Sequence, residues 1–231
     1  MRIAKFLASC GVASRRKSEV IILEGRVSID GAVITDLAFQ VSESMDVELD
    51  GQPLKQNTKT YFLLHKPKGV LSTMSDPHGG EFAIDLIPGG REKGLFNVGR
   101  LDQNSEGLLL FSNDGDWANH IMHPSKGILK TYLITVKGEV MDSELRELTA
   151  GIEDEGDLLK AKVARVVHKR RFETVIEVIL NEGKNRELRR MARAMGFHMQ
   201  RLIRTQVGPV ELGQFNPGFS RELTKEELQQ F

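Results

Sequence analysis

The sequence is poor in several residues on which function often rests: one cysteine, one tryptophan and two tyrosines in 231 residues. A lone cysteine, Cys10, forbids an internal disulfide, and without a CxxC pair or a Cys/His quartet no structural zinc site is expected. Cys10 reads as a small buried residue. No apolar stretch approaches the ~20 residues of a membrane-spanning helix. The start, MRIAKFLASC, lacks the long apolar run and cleavage site of a secretory signal, so the chain is expected in the cytoplasm. HKPKG and PGGRE are Gly/Pro turns without the GxxxxGK[ST] frame, which excludes a nucleotide-binding loop of that type. His120 and His123 stand at i, i+3 with no third ligand in view, and read as helix-end residues. Neither a metal nor a cofactor is expected. Net charge is missing too, with 32 Lys and Arg against 32 Asp and Glu, which taken alone weighs against a polyanionic partner.

The distribution of charge tells more than its sum. From Lys184 to Arg204 seven basic residues face one acid, Glu187, while the acids of the 153–157 turn and of the C-terminal tail restore the balance elsewhere. A neutral average therefore hides a basic face. At this length two domains are expected.

Ile3, Phe6 and Leu7 predict a short first helix, and Ser14 an N-cap for a second that runs to Glu24 with Gly25 behind it. VSIDGAVIT and VELDGQPL each alternate about an Asp-Gly turn and predict two small hairpins. KQNTK, residues 55–59, reads as a polar linker. The predicted domains are 1–57 and 58–231. In the second, YFLLH, GVLST, GLLLF, TYLITV, AKVARVV, TVIEVIL and RLIRTQV are the strand candidates. Helices are predicted at 116–122, at 142–148 and from an Asn185 cap to Met195. Strands and helices without a regular βαβ rhythm give an α+β domain on a largely antiparallel mixed sheet.

The helix after Asn185 carries the clearest chemistry. Leu188, Met191, Ala192 and Met195 make an apolar stripe, and Arg186, Arg189, Arg190 and Arg193 repeat that spacing one face around. Four arginines without a lysine suit bidentate recognition of phosphate or carboxylate better than a merely solvated face does. Arg2 and Lys5 on the first helix, with Arg15, Arg16 and Lys17 opening the second, give another basic surface. Two basic surfaces on one chain fit a ligand larger than a small molecule. The candidate reactive group is Asp102, in a loop just ahead of the continuous apolar run GLLLF, where a buried strand can aim it. By spacing alone a turn-capping aspartate is the favoured reading, and Glu106 raises a glycosidase-like carboxylate pair whose separation the sequence leaves open.

GRLDQNSEGLLLFSNDGDWANHIMHPS resembles the signature segment of the RsuA-type pseudouridine synthases, which act on ribosomal RNA. HKPKGVLST before it, and KTYLITVKG, EGKNRELRRM and RLIRTQVG after it, resemble that family's other motifs in order. The first 57 residues are similar to the S4 RNA-binding domain that the family carries. The resemblance implies isomerisation of a uridine in structured rRNA to pseudouridine, without cofactor, by a cytoplasmic protein expected to be a monomer. It implies Asp102 as the essential aspartate and nucleophile, Tyr132 as the tyrosine that stacks on the base, Arg189 as the basic partner of the aspartate and Leu202 as the aliphatic pocket wall. Arg100, Arg186, Arg190 and Arg193 are expected to contact RNA, together with the basic set of the first domain. Glu187 departs from the glutamine often found there. RELRRM and RLIRTQVG resemble the large-subunit enzymes more than the small-subunit ones. A small-subunit target, and a non-catalytic RNA-binding assembly factor on the same scaffold, are the alternatives.

Overall fold

The computed structural model describes every residue from Met1 to Phe231, and the chain divides into two compact units. The first comprises Met1–Thr60 with the short segments Gly89–Phe96 and Ser112–Asp114. Helices α1 (Ile3–Ser9) and α2 (Arg15–Leu23) precede strands β1 (Val27–Ile29), β2 (Ala32–Val33), β3 (Val47–Leu49) and β4 (Gln52–Pro53), which form one sheet in the order β2-β1-β3-β4. Ser14 caps α2 by accepting a hydrogen bond from Lys17 N. Each hairpin turns on an Asp-Gly pair with both φ angles positive, Asp30 at 50° and Gly31 at 82°, Asp50 at 51° and Gly51 at 76°. That is the turn whose twist matches the strands it joins, and it explains why Asp-Gly predicts it. Ile3, Leu7, Ile22, Val27 and Val47 fill the small core.

The expected linker at 55–59 is less free than its composition suggests. Asn57 N donates to Ser9 O, Asn113 Nδ2 donates to the carbonyls of Thr58 and Lys93, and Lys59 pairs with Asp114 at 2.8 Å. All of these contacts lie within the first unit, which thus borrows residues from later in the chain.

The second unit covers Tyr61–Pro88, Asn97–Phe111 and Gly115–Phe231. Its strands are β5 (Tyr61–Lys66), β6 (Phe96–Val98), β7 (Glu106–Ser112), β8 (Lys130–Lys137), β9 (Ile152–Asp154), β10 (Asp157–Leu159), β11 (Val163–Arg170), β12 (Glu173–Leu180), β13 (Met199–Val207), β14 (Val210–Glu211) and β15 (Ser220–Glu222). The helices are α3 (Gly115–Met122), α4 (Asp142–Ala150), α5 (Glu187–Ala194) and α6 (Lys225–Gln229). Seven strands follow the order β11-β12-β8-β13-β7-β5-β15, with β14 on β13 and β6 on β7. Pairing is antiparallel from β11 to β13 and between β5 and β15, and parallel between β13 and β7. This is the largely antiparallel mixed sheet that the sequence predicts. β12 shows the reason most plainly, since Thr174, Ile176, Val178 and Leu180 are buried and the residues between them are not. No helix is long and apolar enough to cross a membrane.

GVLST is not a strand. Its only ladder contact is a single bridge from Leu71 to Phe82, where Leu71 bonds Glu81 O and Ala83 N, while the backbone of Gly69 is taken by Gln103 in the loop around Asp102. The short strands β6, β9, β10, β14 and β15 and the terminal helix α6 were not predicted. α6 begins on a capping box in which Thr224 and Glu227 satisfy each other's backbone amides.

The junction of β7 and β13 depends on one glycine. Gly107 (φ 107°) lies opposite Arg204, and a Cβ there would fall inside the Arg204 carbonyl oxygen and 2.7 Å from its nitrogen. Both the positive φ and the close approach of backbone require glycine. Gly107→Ala is expected to destabilise the protein by about 3 kcal/mol or more, the upper end for overpacking. Chemical denaturation of the purified variant checks this; a change below about 1 kcal/mol would contradict the close approach.

Candidate active site

Asp102 sits on the loop between β6 and β7, and that loop is fastened to the turn after β5. Lys66 is fully buried and donates from Nζ to the carbonyls of Pro67 (2.8 Å), Ser105 (2.8 Å) and Gln103 (3.4 Å). Gly69 N donates to Gln103 O at 2.8 Å, and Gln103 Nε2 donates back to Gly69 O at 3.0 Å. Leu101 N donates to Ser72 Oγ at 3.2 Å. From the β13 side, Arg204 is buried and donates to Leu108 O at 2.7 Å and to Arg100 O at 3.5 Å. The residues flanking Asp102 are therefore held by their backbone, and little freedom is left to the carboxylate.

The side chains that surround Asp102 come from three elements. Arg189, on α5, donates from Nε to Asp102 Oδ2 at 3.2 Å and from Nη2 to Asn104 O (2.9 Å) and Ser105 Oγ (3.1 Å). Tyr132 on β8 and Leu202 on β13 are 7% and 6% exposed, so their contacts with a ligand must lie within the cavity they line. β8 and β13 are in register at Tyr132↔Arg204 and Ile134↔Leu202, which puts both side chains on one face of adjacent strands. Together with Arg100, Lys130, Arg186, Glu187 and Arg204 they line a cavity of ≈ 620 Å³. A space of this size suits a nucleotide-sized group.

The cavity and the loop beside it are charged, and three groups are shifted, Lys66 under the Asp102 loop and Glu187 and Lys130 in the cavity lining. Burial holds the Lys66 ammonium down to about 8, against the influence of Glu106 and Asp102, which favour its charged form. Burial also raises the Glu187 carboxyl; its Oε2 accepts from Lys184 N at 3.0 Å, while its Oε1 is buried without a partner. Lys130 is lowered, first by burial and then by Arg204. Glu106 does not line the cavity that Asp102 lines, and Arg201 holds it at 2.8 Å, so the two carboxylates do not form a pair across it.

The arginine stripe of α5 is divided rather than presented whole. Arg186 precedes the helix in a left-handed conformation (φ 48°), so it and not Asn185 is the N-cap. Arg186 and Arg189 face the cavity. Arg190 turns away: its side chain is 11% exposed, paired with Asp154 at 2.6 Å and Asp157 at 2.7 Å on the β9–β10 hairpin. Arg193 is 61% exposed and bonds Asp154 and Glu155, both at 2.9 Å. The expectation that Arg190 contacts RNA is corrected accordingly, since the acids of the 153–157 turn meet its guanidinium instead of balancing charge at a distance. In the first unit Arg2, Arg15, Arg16 and Lys17 are exposed and Lys5 is half-buried.

Sequence reasoning missed Lys66, Ser72 and Arg204 as supports of the Asp102 loop. Lys66 closes an apolar strand, FLLHK, where a charge is out of place unless it is held. Arg204 follows Leu202 by two, so the strand period puts it on the same face.

The RNA pseudouridylate synthase family model matches residues 60–194, and the S4 domain model matches residues 1–47. A protein of Aquifex aeolicus named as an uncharacterised RNA pseudouridine synthase is 41% identical over 232 residues, covering 100% of this chain and 93% of its own length. The ribosomal large subunit pseudouridine synthase B of Bacillus subtilis is 38% identical over 229 residues, 98% of this chain and 93% of that one. Among solved structures, a crystal structure of a pseudouridylate synthase superposes with a TM-score of 0.69 at 26% identity, over 100% of this chain and 99% of that one.

The fastening of the Asp102 loop has a pH signature. As the pH rises past about 8, Lys66 gives up a proton and one of its three donated hydrogen bonds. The activity of the site should fall there. Stability should not fall with it, because a lysine whose folded value lies below its ordinary 10.5 leaves the unfolded chain binding more protons, and that favours the folded state as pH rises from 8 to 10.5. Single-turnover rates and melting temperatures measured from pH 7 to 9.5 separate the two; activity lost only in step with melting would rule out this role of Lys66.

Proposed function

Because the chain belongs to the RNA pseudouridylate synthase family, we propose that it converts one uridine of large-subunit ribosomal RNA to pseudouridine with Asp102 as nucleophile and no cofactor. The convergence of Asp102, Arg189, Tyr132 and Leu202 on one cavity carries this reading. The reaction breaks the bond from C1′ to N1, turns the uracil while it is still enclosed, joins C1′ to C5, removes the proton from C5 and leaves one on N1. It therefore asks for a fixed carboxylate and a close apolar clamp. Asp102, held by its backbone and by Arg189, supplies the first. Attack at C1′, attack at C6 of the base and support for loss of the C2′ proton all draw on the same carboxylate. Tyr132 and Leu202 form the clamp, and their burial keeps the detached base from escaping.

The target base must leave its stack to reach Asp102, at a cost of a few kcal/mol. RNA contacts offset that cost. In this reading residues 1–57 bind the RNA backbone and 58–231 carry the chemistry. Arg15, Arg16 and Lys17 occupy the first turn of α2, where no acidic residue accompanies them. Cations there oppose the helix dipole by about 0.3–1 kcal/mol each, a choice that costs stability and makes sense if a polyanion is met. The large-subunit assignment draws support from the name of the Bacillus subtilis relative. The enzyme is taken to work as a monomer in the cytoplasm.

Asp102→Asn should reduce single-turnover isomerisation by about 10⁴-fold or more, the scale of losing a group that acts as one unit with its neighbours. Its RNA affinity should stay nearly that of wild type. Mapping pseudouridine in the rRNA of a strain lacking the protein, with and without the Asp102→Asn gene, tests activity and target together. Recovery of the modification by Asp102→Asn would remove Asp102 from its role, and a missing site in small-subunit RNA would overturn the substrate.

Replacing Arg15, Arg16 and Lys17 by glutamate should weaken RNA binding and lower the slope of log K against log salt by about 0.7–0.9 per lost phosphate contact. The same change should leave the melting temperature unchanged or raise it, since acids suit a helix N-terminus. An unaltered slope in salt titrations would exclude α2 from the RNA interface.

A further inference from the structure

The second unit has another hollow, of ≈ 420 Å³, which Arg189 borders and Asp102 does not. Its rim carries Arg186, Arg189, Arg193 and His198, and its floor is Ala192, Phe197 and Met199. Arg186 and Arg189 line this hollow and the catalytic cavity alike, so the two adjoin across a pair of guanidinium groups. An apolar floor under a cationic rim is what a nucleotide offers its complement to, with a flat base and a phosphate at its edge.

Phe197 is fixed in place. α5 ends with Gly196 in the left-handed region (φ 70°), Gly196 N donating to Arg193 O at 3.1 Å and Phe197 N to Ala192 O at 2.8 Å. These are the two bonds of a Schellman motif, which brings the residue after the glycine back onto the helix. Phe197 consequently borders a narrow interior cleft among Ile134, Leu148, Ile176 and Met191 as well as the open hollow. A ring anchored on one side and half-exposed on the other is a rigid platform, and stacking on it costs little conformational entropy.

Arg186 is the exposed member of the shared pair and is not engaged by another side chain of this protein, whereas Arg189 is held by Asp102 and Arg193 by Asp154 and Glu155. It also holds a left-handed φ of 48°, a conformation that arginine adopts at a cost. That conformation sets its side chain at the border of the two cavities.

We propose that this hollow seats the nucleotide next to the target uridine in the RNA strand, with its base stacked on Phe197 and the phosphate between the two nucleotides held by Arg186. The inference rests on the isomerase reading and adds a place for the neighbour. Extracting a uridine uncovers a face of the adjoining base, and Phe197 covers that face again. Extraction is thereby favoured without any added contact to the uridine itself.

The test uses the full-length enzyme and stem-loop RNAs built around the mapped uridine, with an abasic nucleotide placed on its 5′ or its 3′ side. For wild type, one of the two abasic RNAs should need about tenfold more enzyme for half-maximal single-turnover rate, the effect of one lost stack. Phe197→Tyr keeps the ring and should show the same penalty. Phe197→Leu keeps apolar packing without the ring; it should need about tenfold more enzyme for intact RNA and lose less than twofold further on the abasic one. Equal penalties in all three proteins, or none at either position, would overturn the seat while leaving the isomerase reading intact. If wild type modifies no uridine in rRNA, the isomerase reading fails first and the seat falls with it.

Discussion

The structure of the site depends on a buried ammonium group. Lys66 is wholly removed from water, and a charge in that position is tolerable only because three carbonyls receive it. Two of those carbonyls, of Gln103 and Ser105, lie one and three residues after the residue that must be aimed. The cost of burying the charge is thereby tied to the shape of one loop. Any arrangement of residues 102–105 that withdraws the carbonyls leaves the charge uncompensated, so the loop has one acceptable geometry rather than several. Arg204 and Ser72 act on the same loop from other directions, and Arg189 reaches it last, from a helix.

This hierarchy explains how much was legible in the sequence. Elements with local causes could be read: the Asp-Gly hairpins, the Ser14 cap, the alternation of β12 and the amphipathic α5 all follow from neighbours in the chain. Asp102, Tyr132, Arg189 and Leu202 were named from resemblance to a family, and the structure brings them together around one cavity. The supports of the site were not read, because their partners are distant in sequence. Lys66 meets Ser105 across 39 residues and Arg204 meets Leu108 across 96. GVLST failed as a strand for the same reason, since Gly69 bonds to Gln103 of the Asp102 loop and only Leu71 pairs with a neighbouring segment, at a single bridge.

The arginines of α5 teach a related lesson about periodicity. Spacing correctly puts Arg186, Arg189, Arg190 and Arg193 on neighbouring faces, but it cannot say which of them meets a carboxylate from elsewhere in the chain. Arg190 meets two, and a stripe that looks like one cationic surface becomes a pair lining the cavity on one side and a structural clasp on the other. Glu187 is the converse case. It is the one acid in the basic run, and it is 3% exposed and lines the cavity.

The clasp between α5 and the β9–β10 hairpin bears on how the protein travels among polyanions. An arginine that already has a carboxylate beside it holds no loosely bound anion to give up, and it adds little to the diffuse attraction that binds cationic proteins to any nucleic acid. Arg190 and Arg193 are in that position, each beside carboxylates of the β9–β10 hairpin. Four arginines on one short helix therefore add less sequence-independent attraction to a polyanion than their number implies, and the fit of a ligand to the cavity counts for correspondingly more.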